Sequence, residues 1–489
     1  MTLALFGLLL LPFVAAVVLL TGIPSYIALL LAAVTGAVAG LATGAVSIDL
    51  LGALPGRLIN LLESDLLQAL PLYLLMGILL DRIGIADALF ATFSRLAGNR
   101  ASSPLVAGIG IGALLGPMNG SVGASVLALT RTLGPRLEKA GVGGPAREAI
   151  VAVAGTLGVV VPPSLVLILL GDALLTAHTI ARNATGRLDR IVNTQDLMRG
   201  ALPAAGLFVV AAVAVAMIVG RRAKPVAGAA SAPDRRTILT ACVAITAIVV
   251  LLGGVTAGKF YAVEAAATGA MLLFAWAMAS GRLGQGALGG ILSETLQTTG
   301  VLFAPLLAAT TFTLVLRLLG SDKLVESFIA GLPGGPVTVL ATALAIIGAS
   351  AIALDAFEII FVVVPILAPP VLMRVPDAVW VGVTILMALQ ASFMLPPFGA
   401  ALMLARSGLK TGARLTETIG AMAPYLAAQV LVLGLVLGLP SLVHLMDTAT
   451  PAARLPVGAG PEAEEKRLRD MMGGQAIPGL PGLPPIQKP

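Results

Sequence analysis

Gly155-Thr-Leu-Gly-Val-Val-Val-Pro-Pro-Ser164 and Gln390-Ala-Ser-Phe-Met-Leu-Pro-Pro-Phe398 are two apolar runs that each stop at a Pro-Pro pair, and the pairs lie 396 − 162 = 234 residues apart. Proline lacks an N–H and disfavours helix in the residue before it, so each pair ends a helix and frees carbonyls one turn earlier. Backbone that leaves the helix at mid-membrane is tolerated only when it is buried in protein or lines an aqueous cavity. The two runs therefore point to broken helices around an internal site.

The surroundings are those of a membrane protein. Residues are 58% hydrophobic and 11% charged, with a mean hydropathy of +1.01. A soluble chain of this length needs about a quarter of its residues charged to cover its surface. Apolar runs of about 20 residues, the length that crosses the hydrocarbon, recur near 3–20, 25–46, 66–85, 147–171, 200–220, 237–254, 258–280, 300–320, 378–404 and 418–445. Residues 1–20 lack a basic leader and run straight into the next apolar stretch, so they read as a retained span rather than a signal peptide. The piece 48–62 is amphipathic and suits the interface.

Two stretches, 102–134 and 336–373, are too long for one span and are interrupted. The first breaks at Gly116-Pro117-Met118-Asn119-Gly120-Ser121, and the second around Gly348-Ala349-Ser350, with Asp355 following. Adding 234 to Ser121 gives Asp355. Lys and Arg cluster at 95–100, 131–147, 221–236 and 406–414, which sets these on the cytoplasmic side. Both interrupted stretches must then enter and leave from one side, as re-entrant hairpins, and both chain ends fall outside. The misfit is 172–200, placed outside despite Arg182, Arg187, Arg190 and Arg199. The resulting organisation is an all-α polytopic membrane protein of two inverted repeats. Residues 1–220 carry the hairpin near 102–134, 221–236 is a basic cytoplasmic linker, 237–445 carry the hairpin near 336–373, and 446–489 read as a disordered tail.

Helix ends at such breaks offer N–H groups to an anion and carbonyls to a cation. The candidate substrate and ion residues are Asn119, Gly120, Ser121 and Ser125 in the first hairpin, and Ser350, Asp355 and Glu358 in the second. Thr156, Pro162, Pro163 and Ser164 join them at the first Pro-Pro run, and Gln390, Ser392, Pro396 and Pro397 at the second. A cation is expected near Asn119, Ser121 and Asp355, and the family resemblance given below implies that it is Na+. The same features also fit plain proline-kinked helices, with Gly108, Gly110, Gly112 and Gly123 serving close packing. Asp355 and Glu358 have the spacing of an N-cap and its N3 acid, so cap and cation ligand both stand open, with Glu358 auxiliary. Arg317 is expected to snorkel at the outer interface.

Other chemistries find little footing. Cys242 is the only cysteine, and His178 and His444 are the only histidines, so no intrachain disulfide or thiolate cluster can form, and haem or zinc ligation has little support. No Walker loop or nucleophile elbow is present, and no cofactor is expected. The net charge of +6 fits cytoplasmic loops facing membrane lipid rather than a nucleic-acid partner.

At these same residues the chain resembles the large membrane subunit, DctM type, of tripartite ATP-independent periplasmic (TRAP) transporters, over nearly everything up to about residue 445. The resemblance rests on Gly116 to Leu137 followed by Glu138-Lys-Ala-Gly, and on the run from Gly155 to Asp172. It rests most on Leu354-Asp-Ala-Phe-Glu-Ile-Ile-Phe-Val-Val-Val-Pro-Ile-Leu-Ala-Pro369 with Leu389-Gln-Ala-Ser-Phe-Met-Leu-Pro-Pro-Phe-Gly399. These last look like the branch associated with mannitol, chloroaromatic or 2-oxo-acid substrates. The resemblance implies a scaffold with an elevator domain, and sodium-coupled uptake of a small organic anion. It also implies a small four-span membrane subunit and a periplasmic substrate-binding protein as partners. The chain departs from the pattern at Ser125, where many members have Asp, and at Ala388, Ala391 and Leu395, where Asn or Thr is usual. A second sodium site would then lean on backbone carbonyls. Two other readings stay open: a binding-protein-independent sodium/dicarboxylate symporter, and a membrane-complex subunit that transports nothing.

Overall fold

A computed structural model describes residues 2–98, 100–119, 122–221, 234–281, 287–396 and 399–447, with only the backbone of Asn119. Residues up to Met446 form one compact unit, and Asp447 is the only described residue of the other. The readings of the tail, of most of the 221–236 linker, and of Gly120, Ser121 and Pro397 fall outside the described residues.

The described chain is helical. Its first half holds α1 (Thr2–Thr21), α2 (Ser25–Ala42), α3 (Asp65–Arg82), α4 (Ile85–Leu96), α5 (Ser103–Leu115), α6 (Val122–Lys139), α7 (Gly144–Val160), α8 (Leu165–Thr185) and α9 (Thr194–Gly220). The second holds α10 (Arg235–Thr256), α11 (Ala262–Ala279), α12 (Ala287–Leu318), α13 (Ser321–Ala330), α14 (Pro336–Ser350), α15 (Ala356–Arg374), α16 (Ala378–Met394), α17 (Ala400–Leu409) and α18 (Leu415–Gly438). The interval between the Pro-Pro pairs recurs in the helix boundaries. α7 and α16 start and end 234 apart (378 − 144 and 394 − 160), and α6 and α15 start 234 apart (356 − 122). Packing repeats in the same way: α3 packs on α11 and α12 on α2, while α4 packs on α10 and α13 on α1.

Among the described residues, nine helices are long and apolar enough to cross a membrane. Three expected spans need correction, and the first, 147–171, is divided between α7, which ends at Val160, and α8, which begins at Leu165. The stretch 378–404 is not one helix, because α16 stops at Met394, before Pro396, and α17 begins at Ala400. The span near 300–320 starts at Ala287 and runs 32 residues, about 48 Å at 1.5 Å per residue, well beyond the hydrocarbon.

Close packing puts the first broken stretch against α7. A Cβ on Gly108 would stand 3.3 Å from Ile150, one on Gly112 2.6 Å from Ala154, and one on Gly116 2.8 Å from the Gly158 nitrogen. Both helices step by four, so small residues form a continuous seam where backbones nearly touch. Gly110 faces Phe93 of α4 instead.

Polar contacts define two ends. At one, Arg131 and Arg82 pair with Glu294 at 3.4 and 2.9 Å, Arg136 pairs with Asp87, and Arg147 with Glu138. Buried Glu148 meets Arg406 at 3.5 Å, Thr418 at 2.5 Å and the Thr411 hydroxyl. The basic segments 131–147 and 406–414 therefore share an end, as their sequence predicts. At the other end His444 pairs with Asp377, and Trp380 donates to Val436 O. The misfit arginines lie here and are consumed internally. Arg187 donates to Leu372 O and Met373 O, the last carbonyls of α15, Arg182 donates to Asp189 O, and Arg190 pairs with Asp196. An arginine spent on carbonyls or an aspartate is a weak orientation signal.

Arg374 closes the second broken stretch. It donates to Leu332 O at 2.6 Å and Gly334 O at 3.0 Å, just before α14, although it ends α15. The stretch thus returns to the place where it began.

Removing the Glu148 carboxylate takes away Arg406's charge partner and an acceptor from two hydroxyls. Glu148→Ala should cost about 3 kcal/mol, read as a lowered midpoint of thermal unfolding in detergent, and Glu148→Gln clearly less.

Candidate ion and substrate site

The two helices that stop at Pro-Pro end alike. Val161 has φ −79° and ψ 115°, and Leu395 has φ −73° and ψ 111°, both extended as a following proline demands. With no N–H at 162 and 163, Gly158 O and Val159 O lose their helical donors. Ser164 supplies one replacement. Its hydroxyl donates to Val159 O at 2.8 Å and accepts from Leu167 N–H at 3.0 Å, capping α8. Ser164 is therefore engaged by two backbone groups and keeps one acceptor lone pair.

Thr156 and Gln390 are each other's counterparts under the 234-residue interval, and they touch. Gln390 Nε2 donates to Thr156 Oγ1 at 3.5 Å, and both residues are fully buried. Counterparts meet only where the two halves face one another, so the pair marks the junction of α7 and α16. Gln390 Oε1 is buried without a partner among the described residues.

Around this junction lie the broken stretches. On the first side Ser125 Oγ donates to Gly116 O at 3.3 Å, and a Cβ on Gly158 would be 3.2 Å from Ser125 Oγ. On the second, a Cβ on Gly348 would be 3.4 Å from Ser392 Oγ. Ser350 and Ser392 donate to Ile346 O and Ala388 O within their own helices. Asp355 and Glu358 hold the N-cap and N3 positions, and Asp355 N–H donates to Glu358 Oε2 at 3.0 Å, one half of a capping box. Glu358 is fully buried; the Ser25 side chain at the start of α2 lies against its carboxylate, and its Oε1 makes no well-aligned hydrogen bond among the described residues. No hydrogen bond there links this pair to Thr156, Gln390 or Ser392.

Sequence reasoning missed two polar side chains, Gln429 and Thr313. Gln429 of α18 is fully buried, with Nε2 donating to Met387 O at 2.9 Å and Oε1 unpartnered. A lone amide in an apolar run was the available signal. Thr313 and Arg317 of α12 donate to Phe361 O and Pro365 O. Among the described residues no three His, Cys, Asp or Glu side chains converge. A cation here would be held by hydroxyl, amide, carboxylate and backbone oxygens, which suit a hard ion.

Comparison with known proteins decides the family. The profile described as "Tripartite ATP-independent periplasmic transporter, DctM component" matches residues 13–442. The chain belongs to the DctM family. It is accordingly a transporter component rather than an enzyme, a multi-pass protein of the inner membrane. Among its relatives is the C4-dicarboxylate TRAP transporter large permease protein DctM of Rhodobacter capsulatus, 25% identical over 79% of this chain and 88% of that protein. The sialic acid TRAP transporter large permease protein SiaM of Vibrio cholerae is 22% identical over 70% and 77%. The sialic acid TRAP transporter permease protein SiaT of Haemophilus influenzae is 25% identical, and the match spans 74% of this chain and 57% of SiaT. The fold is similar to that of the YdaH transporter of Alcanivorax borkumensis, with a TM-score of 0.56 at 14% identity, covering 81% and 89% of the two chains.

Proposed function

We propose that this DctM-family chain carries sodium-coupled uptake of a small organic anion, a carboxylate, as the large permease subunit of a TRAP transporter. Its partners in this reading are a small four-span membrane subunit and a periplasmic substrate-binding protein. The observation that carries it is the meeting of two proline-broken helices at Thr156 and Gln390, flanked by two interrupted stretches. Repeats inserted from opposite sides bring broken helices together near the bilayer midplane, where helix N-termini favour an anion and freed carbonyls a cation. The two stretches act as re-entrant hairpins, and Gln390 Oε1 and Glu358 Oε1, both buried oxygens with no well-aligned hydrogen bond among the described residues, are apt cation ligands. The names of the relatives put dicarboxylates and sialic acid, both carboxylates, among the substrates to try first.

Reconstitution tests this reading. Uptake into proteoliposomes should require all three proteins together with an inward sodium gradient. Robust uptake by this chain alone would instead support a symporter that needs no receptor.

A further inference from the structure

Two side chains of α12 reach α15 one turn apart. Thr313 Oγ1 donates to Phe361 O at 2.6 Å and Arg317 Nη2 donates to Pro365 O at 3.1 Å, each across an interval of 48 residues. Neither carbonyl has its ordinary helical partner. Phe361 O would take the N–H of position 365, and Pro365 O that of position 369, and both positions are proline. A π-helical turn, Ile359–Val363, opens the backbone at the same place. α12 therefore supplies the donors that α15 lacks, in matched register.

The repeated architecture does not demand this device. Under the 234-residue interval the counterparts of Thr313 and Arg317 are Leu79 and Ile83 of α3, and that of Pro365 is Arg131. Leucine and isoleucine side chains donate no hydrogen bond, yet the first broken stretch still packs against α3. The polar register belongs to the second half alone.

We propose that Thr313 and Arg317 are positioning residues for transport, holding the second broken stretch in register on α12 in this conformation and releasing it when it moves. Because proline has already freed both acceptors, parting breaks no hydrogen bond within either helix. The proposal rests on the transport reading, since a register that is made and broken has a use only if the stretch moves.

The test uses the full-length chain in inner-membrane vesicles, with Cys242→Ser and a single cysteine at Ile352, which is exposed at the break. The rate of labelling by a membrane-impermeant maleimide reports how firmly the break is held, and needs no substrate, so it reads the register even if uptake proves absent. Arg317→Met and Thr313→Val should each speed labelling about threefold or more, the scale of one lost hydrogen bond. Arg317→Lys and Thr313→Ser, which keep a donor, should stay close to the parent. In the uptake assay Arg317→Met should lower the maximal rate while leaving half-saturation unchanged. Parent-like labelling of Arg317→Met at equal protein abundance, or equal labelling of the Lys and Met variants, would overturn the proposal. If Arg317→Met fails to accumulate, the nearly isosteric Thr313→Val decides by the same criterion.

Discussion

A valine in place of Gly158 should leave almost no folded transporter in the membrane. A Cβ there would stand 2.5 Å from Gly116 O and 2.8 Å from the Gly116 carbonyl carbon, both backbone atoms that cannot swing aside. Overpacking a well-filled interior commonly costs 1–3 kcal/mol, occasionally more. Here the seam also runs through Gly112 and Ala154, so α5 cannot shift without parting from α7 along its length. Displacing α7 would carry Thr156 away from Gln390 and open the junction of the two halves. The expected result is a fall of about tenfold or more in membrane abundance and in uptake. Gly253→Ala is the control, because nothing lies within 4 Å of a Cβ at that position, and it should behave as the parent. Parent-like abundance and uptake in Gly158→Val would mean that the α5–α7 seam is not as close as described.

Glu358→Ala should be the more damaging of the two acid substitutions at the second break, against the reading of Glu358 as an auxiliary N3 acid. Its side chain is fully buried, whereas Asp355 is part-exposed. It accepts the Asp355 N–H at 3.0 Å and keeps a second oxygen with no well-aligned hydrogen bond among the described residues. Alanine there removes the acceptor that holds the first residue of the half-helix and leaves a cavity beside the break, so uptake should fall by about two orders of magnitude. Asp355 stands at the N-cap position of the same half-helix and is part-exposed. An asparagine caps as well as an aspartate, so Asp355→Asn should retain uptake within about threefold with unchanged sodium dependence. Asp355→Ala, which removes the side chain's oxygens altogether, should weaken uptake clearly, though less than Glu358→Ala does. A clear rise in the sodium concentration needed by Asp355→Asn would show that its charge, and not its cap, serves the ion. Initial rates of substrate uptake at graded sodium concentration separate the outcomes.

How much of this was readable beforehand follows from the range over which each rule acts. The ends of α7 and α16 were legible because proline removes its own N–H and restricts its neighbour, whatever the rest of the chain does. The Asp355–Glu358 box was legible for the same reason, being an interaction across three residues. The apolar runs disclosed the membrane, since hydrocarbon tolerates few charges. The 378–404 span was misread because hydropathy ignores a break that the proline in the same stretch imposes. Arg187 read as a misfit because it was counted as a solvent-facing charge, whereas it donates to Leu372 O and Met373 O.

The sequence by itself determined where helices must stop and that the chain lives in a bilayer. Only the tertiary structure decided which groups would make good what those stops leave unpaired. Val159 O is served by a serine five residues on, Phe361 O and Pro365 O by a different helix, and the last carbonyls of α15 by Arg187, far back in the first half. A proline announces the missing donor locally, but the replacement is whichever side chain packing brings within about 3 Å, and that depends on segments as far as 186 residues apart.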